Sequence, residues 1–264
     1  KQTMHGLNLA WSYFPHMWDI RCNNLKTPLE IFHDDDLFRK VIENRMKRGD
    51  NMSDAGIRKT LKVFTNTQSV SNFRPTSAKA LYDCFADNGV VWDMCGGFGG
   101  RLLGFQVSNA RKYITTEPST KTYVGLKKMK SDYITKETEI YHCGCEYYKP
   151  QKESLDFCFA SPPYFDTEHY SDEDTQSYIK YPTKELWVNE FLKTMFKHCY
   201  YGLKQGKHMA INIANVKSFK NLEQQTVLTA QSVGFTHIDT YYYLLSSLSK
   251  KSKFKYEPVF IFKK

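Results

Sequence analysis

No apolar run in this 264-residue chain approaches the ~18 residues of a membrane-spanning helix, so a bilayer span is not expected. The chain opens at Lys1, with neither an initiating methionine nor an apolar signal core, and secretion is not expected. The cysteines are seven, an odd number, and scattered. Their one close pair, Cys143-Gly144-Cys145, lacks the C-x-x-C spacing of common zinc sites. Reduced thiols packed in a core are the default, which points to a cytoplasm-like compartment and to no metal. No internal repeat or low-complexity stretch stands out. With 41% hydrophobic and 25% charged residues, the composition excludes wholesale disorder. The length fits one large domain, or one domain with an appendage.

What the chain does have is basic charge and aromatic rings. Lys and Arg number 37 against 28 Asp and Glu, a net charge of +9. Such a surplus suits a polyanionic partner, because each neutralised phosphate releases a counterion; a solvated basic surface is the plainer reading. Aromatics make up 15%, enough for a substantial core with rings left for binding surfaces.

Residues 1–70 read as short helices and turns. Thr27-Pro28-Leu29-Glu30 has the pattern of a capping box with Pro at the first helical position. Apolar stripes at helical spacing follow over 37–46 and 57–64. This region is expected to be a helical extension, either a cap on the main domain or an element of target recognition. From residue 71 strands and helices alternate: strands at Gly89–Met94, Tyr113–Thr116, Glu139–His142, Leu155–Ala160, His208–Ala214, Thr236–Leu245 and Pro258–Phe262, with a loop of about twenty residues after the fourth. Long helices are expected over 186–200 and 222–233. Such alternation requires crossovers and predicts an α/β fold: a seven-stranded, mostly parallel sheet with helices on both faces. Ligands on such sheets sit at the carboxyl ends of the strands, so the exits of strands one, two and four matter most.

The first exit reads Asp93-Met94-Cys95-Gly96-Gly97-Phe98-Gly99-Gly100-Arg101. Gly97 and Gly99 permit a sharp turn and close approach of a ligand to a helix N-terminus. Glu117, twenty positions after Gly97, ends the second strand, where a carboxylate can accept both hydroxyls of an adenosine ribose. The pattern fits a nicotinamide cofactor, a flavin, S-adenosylmethionine, or a mere glycine turn. Asp93 tilts it toward S-adenosylmethionine, since an acid in the turn suits a cationic amino-acid end and repels a pyrophosphate.

At the fourth exit stands Ser161-Pro162-Pro163-Tyr164. A Pro-Pro turn capping a strand is common. Here the two prolines also leave the Ser161 and Pro162 carbonyls without local donors, at the edge where a parallel sheet keeps its active site. Fixed acceptors can hold an exocyclic NH2 group, and the adjacent tyrosine offers a flat face for a base.

Asp93-x-Cys95-x-Gly97-x-Gly99 followed about sixty residues later by Ser161-Pro162-Pro163-Tyr164 resembles the S-adenosylmethionine-dependent amino-methyltransferases of DNA, which methylate N6 of adenine or N4 of cytosine. The resemblance covers about 71–264. The tetrapeptide is specific in this context, whereas many methyltransferases share the glycine turn. Ser161 to Tyr170 and Asn72-Phe73-Arg74-Pro75-Thr76 resemble a phage and large-virus branch. The resemblance implies a Rossmann-like class I methyltransferase domain at 71–264, binding S-adenosylmethionine and DNA in the cytoplasm of a bacterium or a phage-infected host cell. Ser161 and the Pro162 carbonyl would accept the two hydrogens of the target amine, with Pro163 stiffening the turn, and Tyr164 would stack on the extruded base. Phe73, Pro75 and Thr76 would line the methionine end of the cofactor, Arg74 would meet its carboxylate, and Glu117 would hold the ribose. The acid usual for adenine is absent after Gly144, where Cys145 stands, and Glu146 is the nearest substitute.

An aryl amine is a weak nucleophile, so the chemistry rests on positioning it for in-line attack on a sulfonium methyl. The target is inaccessible inside a duplex, which requires base flipping. A cytosine-C5 nucleophile would follow a Pro-Cys pair, and the chain has none. Lys250, Lys251, Lys253 and Lys255 crowd the loop before the last strand and read as a phosphate-contacting patch or an ordinary solvated loop. Sequence reading is left to residues 1–70, to the loops, or to a second subunit, a homodimer included; pairing with a restriction endonuclease is a further expectation. Rival readings keep the chemistry on guanine N2 of RNA or on protein glutamine, or make the chain a non-catalytic cofactor-binding subunit.

Overall fold

The alternating pattern folds as one continuous sheet with helices packed on both of its faces. The computed structural model describes residues 3–245 and 255–264. Ahead of the alternation lie α1 (Leu7–Tyr13), a 3-10 turn (Pro15–Asp19), β1 (Arg21–Cys22), α2 (Pro28–Phe32), α3 (Asp35–Lys47) and α4 (Asp54–Phe64). Then come α5 (Pro75–Phe85), β2 (Val90–Asp93), α6 (Gly100–Gln106), β3 (Lys112–Thr116), α7 (Thr120–Tyr133), β4 (Glu137–Tyr141) and β5 (Leu155–Ala160). The remainder runs through β6 (Glu168–His169), α8 (Ser177–Lys180), α9 (Lys184–Leu186), α10 (Lys193–Gly202), β7 (Leu203–Asn212), α11 (Leu222–Val233), β8 (Thr236–Leu244) and β9 (Tyr256–Lys263).

Seven strands form the main sheet in the order β4-β3-β2-β5-β7-β9-β8. The pairs β3–β4, β2–β3, β2–β5 and β5–β7 are parallel, while β9 is antiparallel to β7 and β8. From β2 the chain winds outward to β4, then crosses back to β5 and winds the other way. The reversal opens a crevice at the carboxyl ends of β2 and β5, where such sheets hold their ligands.

Alternation along the strands feeds two cores. Val91, Phe157 and Phe159 face Ala78, Leu102 and Leu126 of α5, α6 and α7. Trp92, Cys158 and Ala160 face Phe196 and Leu222 of α10 and α11. All six residues of β5 are buried, as a central parallel strand requires. Each large side chain buried this way contributes roughly 1.5–3 kcal/mol.

The amino-terminal segment is divided between two cores. Ala10, Phe14, Met17, Ile20 and Cys22 join the same core as Val91 and Phe157, so a boundary at residue 70 does not coincide with a division of the core. Ile31, Val41 and Leu61, from α2, α3 and α4, form a small core of their own. Thr27 and Glu30 make the expected capping box. Asp34 and Ser53 cap α3 and α4 through the N–H groups of Leu37 and Gly56.

Three local features depart from the sequence pattern. The loop after β5 is structured: β6 pairs antiparallel with β1, Cys22 opposite Glu168, and α8 follows. Glu173 of that loop accepts hydrogen bonds from the Thr120 N–H at 3.0 Å and the Thr120 hydroxyl at 2.9 Å, a carboxylate on the N-terminus of α7. The single long helix expected over 186–200 is interrupted by a π-helical turn at Trp187–Leu192. β7 begins at Leu203, five residues before the expected start, with a register irregularity against β5. Among the described residues, no helix is long and apolar enough to cross a membrane.

Candidate active site at the switch point of the sheet

β2 and β5 are neighbours, Asp93 opposite Phe159, so the glycine turn and the Ser-Pro-Pro-Tyr turn leave the sheet side by side. Between them lies a cavity of about 330 Å³. Phe73, Cys95, Gly97, Glu117, Glu146 and the whole of Ser161–Tyr164 line it. These residues are far apart along the chain, and the topology gathers them at one edge of the sheet.

The turn after β2 takes the left-handed backbone that glycine tolerates, with φ +57° at Gly97 and +71° at Gly99. A Cβ on Gly97 would meet nothing nearer than 3.6 Å, so the space above the turn is open to a ligand. Glu117, at the end of β3, accepts from the Gly97 N–H through Oε2 and from the Ser119 N–H through Oε1, each at 2.9 Å. Burial pushes its carboxyl up to about 7, against the opposing effect of those two N–H groups.

Asp93 does not face the cavity as the charge argument required. It is fully buried and accepts from Arg101 Nε at 2.7 Å, the Tyr113 hydroxyl at 2.5 Å and the Cys95 N–H at 3.2 Å. Its charge is therefore matched inside the protein, and its role is to hold Arg101, whose guanidinium donates to the Cys95 carbonyl and borders the cavity. Gly99, Arg74, Pro75 and Thr76 also lie off the cavity wall. α5 starts at Pro75 and turns these side chains away: Arg74 donates to the Leu244 carbonyl at 3.2 Å and lies over the Tyr243 ring, and the Thr76 hydroxyl donates to the Thr3 carbonyl at 3.3 Å. Lys255 is exposed and away from the cavity, and Lys250, Lys251 and Lys253 lie outside the described residues.

Glu146 sits in a 3-10 turn after β4 (Cys145–Tyr147), and its side chain is 4% exposed. Lys180 Nζ stands 3.7 Å from its Oε1, while Oε2 is buried with no hydrogen-bond partner. Burial raises its pKa. A sealed acceptor without a donor, on a cavity wall, fits a ligand that brings an N–H or O–H there.

On the β5 side the Tyr164 hydroxyl donates to Glu257 Oε2 at 3.2 Å. Burial, then the Glu257 carboxylate, push the phenol well above its ordinary value. Glu257, Glu168, Asn212 and Phe191 also line this cavity and escaped the reading of the sequence. Glu257 and Asn212 sit in strands whose local pattern announces only burial. Glu168 is one of several acids in the loop after β5, and Phe191 is one apolar position in a helical pattern.

Strand order, glycine turn and switch-point cavity together define the Rossmann-like fold of the class I methyltransferases. A Burkholderia thailandensis 1,6-didemethyltoxoflavin-N1-methyltransferase, solved with 1,6-didemethyltoxoflavin and S-adenosylhomocysteine, is similar over 91% of each chain, at 11% identity and a TM-score of 0.50. A SAM-dependent methyltransferase of Methanosarcina mazei is similar over 70% of this chain and 96% of its own, at 10% identity and a TM-score of 0.49. A SAM-dependent O-methyltransferase of Thermotoga maritima covers 77% and 69%, at 11% identity and 0.48. At such identities the likeness is one of fold. No family model matches the chain, and no curated protein matches it.

Proposed function

We propose that this protein transfers a methyl group from S-adenosylmethionine to the exocyclic amine of an extruded DNA base, N4 of cytosine or N6 of adenine. The observation that carries this reading is that Ser161-Pro162-Pro163-Tyr164 and the Gly97–Glu117 pair line one cavity. The residues present fit the cofactor: an open glycine turn, a carboxylate held at the end of β3, and a buried acceptor at Glu146 that lacks a donor. Gly97 and Glu117 would hold the ribose region and Glu146 the base of the cofactor. When bound, the cofactor supplies an electrophilic methyl on a sulfonium.

The chain's own residues do the rest. Ser161 and the Pro162 carbonyl accept the two N–H groups of the target amine and turn its lone pair toward the methyl. Tyr164 supplies the plate against which the extruded base rests, which offsets part of the few kcal/mol of unstacking. Phe73, Phe191 and Tyr164 line the cavity and would limit water around the reacting pair. The net charge of +9 favours a polyanionic substrate over a neutral small molecule.

Incubation with labelled S-adenosylmethionine and DNA, RNA or a glutamine-bearing protein, followed by mass spectrometry of the nucleosides or peptides, tests the reading. Label in N4-methylcytosine or N6-methyladenine is expected. Label confined to RNA guanine or to glutamine overturns the DNA substrate and keeps the chemistry. Cofactor binding without transfer to any of them points to a positioning subunit.

A further inference from the structure

Two carboxyl groups face the β5 side of the cavity, and they are partnered unequally. Glu257 accepts from the Tyr164 hydroxyl at 3.2 Å and from the Asn212 amide. Glu168 comes from the loop after the Ser-Pro-Pro-Tyr turn, and one oxygen reaches the Tyr164 backbone N–H. Its other oxygen, Oε2, is sealed from solvent with no partner. The β1–β6 pairing, Cys22 opposite Glu168, sets this residue's place, so the amino-terminal segment carries the acid to the cavity wall.

Resting on the function proposed above, we infer that Glu168 reads the ring nitrogen beside the target amine, so that the pocket takes adenine or cytosine and rejects guanine. Ser161 and Pro162 occupy the two hydrogens of the amine. The neighbouring ring atom, N1 of adenine or N3 of cytosine, is an acceptor and needs a donor. Guanine presents N1–H at that place, a donor, and would leave two hydrogens facing each other. A carboxyl group is a donor there only while it keeps its proton. Two acids in one cavity do not both ionise readily, and the better-solvated one by hydrogen bonds gives up its proton first. Glu257, with two donors, takes the charge; Glu168, with an oxygen facing no donor, keeps the proton.

The acids and phenols around Glu168 act in the same direction. Glu257 on β9, Asp166 on its own loop, Cys22 on β1 and the phenols of Tyr164 and Tyr170 act on it, Lys62 acts on Cys22, and the cavity wall also carries Lys217 and Arg101, the latter paired with Asp93. Burial first, then Glu257 and Asp166, push its carboxyl up to about 7, against the Tyr164 N–H. Base reading should therefore weaken as pH rises through about 7.

The test uses the full-length protein and synthetic duplexes carrying the natural base or its deaza analogue, 1-deazaadenine or 3-deazacytosine, with kcat/KM measured from pH 6 to 9. For the wild type, removing the ring nitrogen should cost about tenfold or more, the loss of one buried hydrogen bond. Glu168→Ala should lose about the same on the natural base and show no further loss on the analogue. Glu168→Gln keeps an N–H donor and should retain discrimination while removing the decline above pH 7. S-adenosylmethionine binding, measured by calorimetry, reports that each variant is folded. An equal penalty for the analogue in wild type and Glu168→Ala overturns the inference while leaving the function standing, as does a Glu168→Gln variant with the wild-type alkaline decline. Absence of methylation on the natural duplexes overturns the function and this inference with it.

Discussion

In the function proposed above, Tyr164 is the residue on which substrate chemistry turns. Its ring borders the cavity while its hydroxyl is tied to Glu257, which holds the plate in one orientation. Stacking of a base on an aromatic ring is worth ~1–3 kcal/mol, so Tyr164→Ala should lower kcat/KM roughly tenfold to a hundredfold with cofactor affinity unchanged. A steady-state assay beside cofactor calorimetry checks both halves. Tyr164→Phe keeps the ring and should retain most of the activity. At the other end, the proposed ribose-binding role requires a charged Glu117, yet burial raises its carboxyl to about 7. Cofactor affinity should therefore strengthen as pH rises from 6 to 8, with proton release on binding below pH 7, both readable by calorimetry in buffers of different ionisation enthalpy. The same shift acts on stability with a definite sign. The folded protein favours neutral Glu117, so its contribution is greatest below the unfolded carboxyl's pKa and is lost as pH climbs toward 7. Asp93 illustrates a different economy: it is buried and matched by Arg101, Tyr113 and a backbone N–H. Asp93→Asn would leave the guanidinium uncompensated and should cost about 3–5 kcal/mol in chemical denaturation.

At the scale of elements, the turn between β2 and α6 does two jobs with one backbone geometry. Left-handed φ at Gly97 reverses the chain and leaves open space above it. Gly97→Ala should cost about 1–2 kcal/mol from the backbone conformation alone and also weaken cofactor binding, because the new methyl enters the ligand's space. Thermal denaturation with and without S-adenosylmethionine separates the two effects. Strands and helices with several turns were legible: β5 at 155–160 and α11 at 222–233 lie where the apolar pattern puts them. Illegible were β1 and β6, whose two residues each carry no period, and the π-helical turn, which differs from an α-helix by one residue in its hydrogen bonding. The start of β7 was hidden because Lys204, Gln205, Gly206 and Lys207 interrupt the apolar run before the buried stretch begins.

For the whole molecule, the excess of nine positive charges predicts how binding responds to salt. If DNA is the substrate, log K should fall linearly with log salt, with a slope of about −0.9 for each phosphate contacted. Fluorescence anisotropy across a salt series measures it, and a flat dependence would exclude extensive backbone contact. The amino-terminal segment also belongs to this scale. α1 and the turn after it complete the main core, while β1 anchors the loop that follows Ser161–Tyr164. Removing residues 1–22 should therefore expose core surface and abolish cooperative unfolding, where trimming an independent appendage would leave it intact.

Periodicity, glycine and proline in the sequence were enough to determine an alternating α/β chain, the conformational freedom of the turn at 95–100, and the stiff Pro-Pro turn at 162–163, because these are local consequences of backbone and side-chain sterics. Tertiary structure alone decided that Asp93 would turn inward to Arg101, that Arg74 would leave the cavity for β8, and that Glu168 and Glu257 would both line it. Those outcomes depend on which strands lie side by side and which charges find partners, and both are properties of the folded chain's long-range contacts.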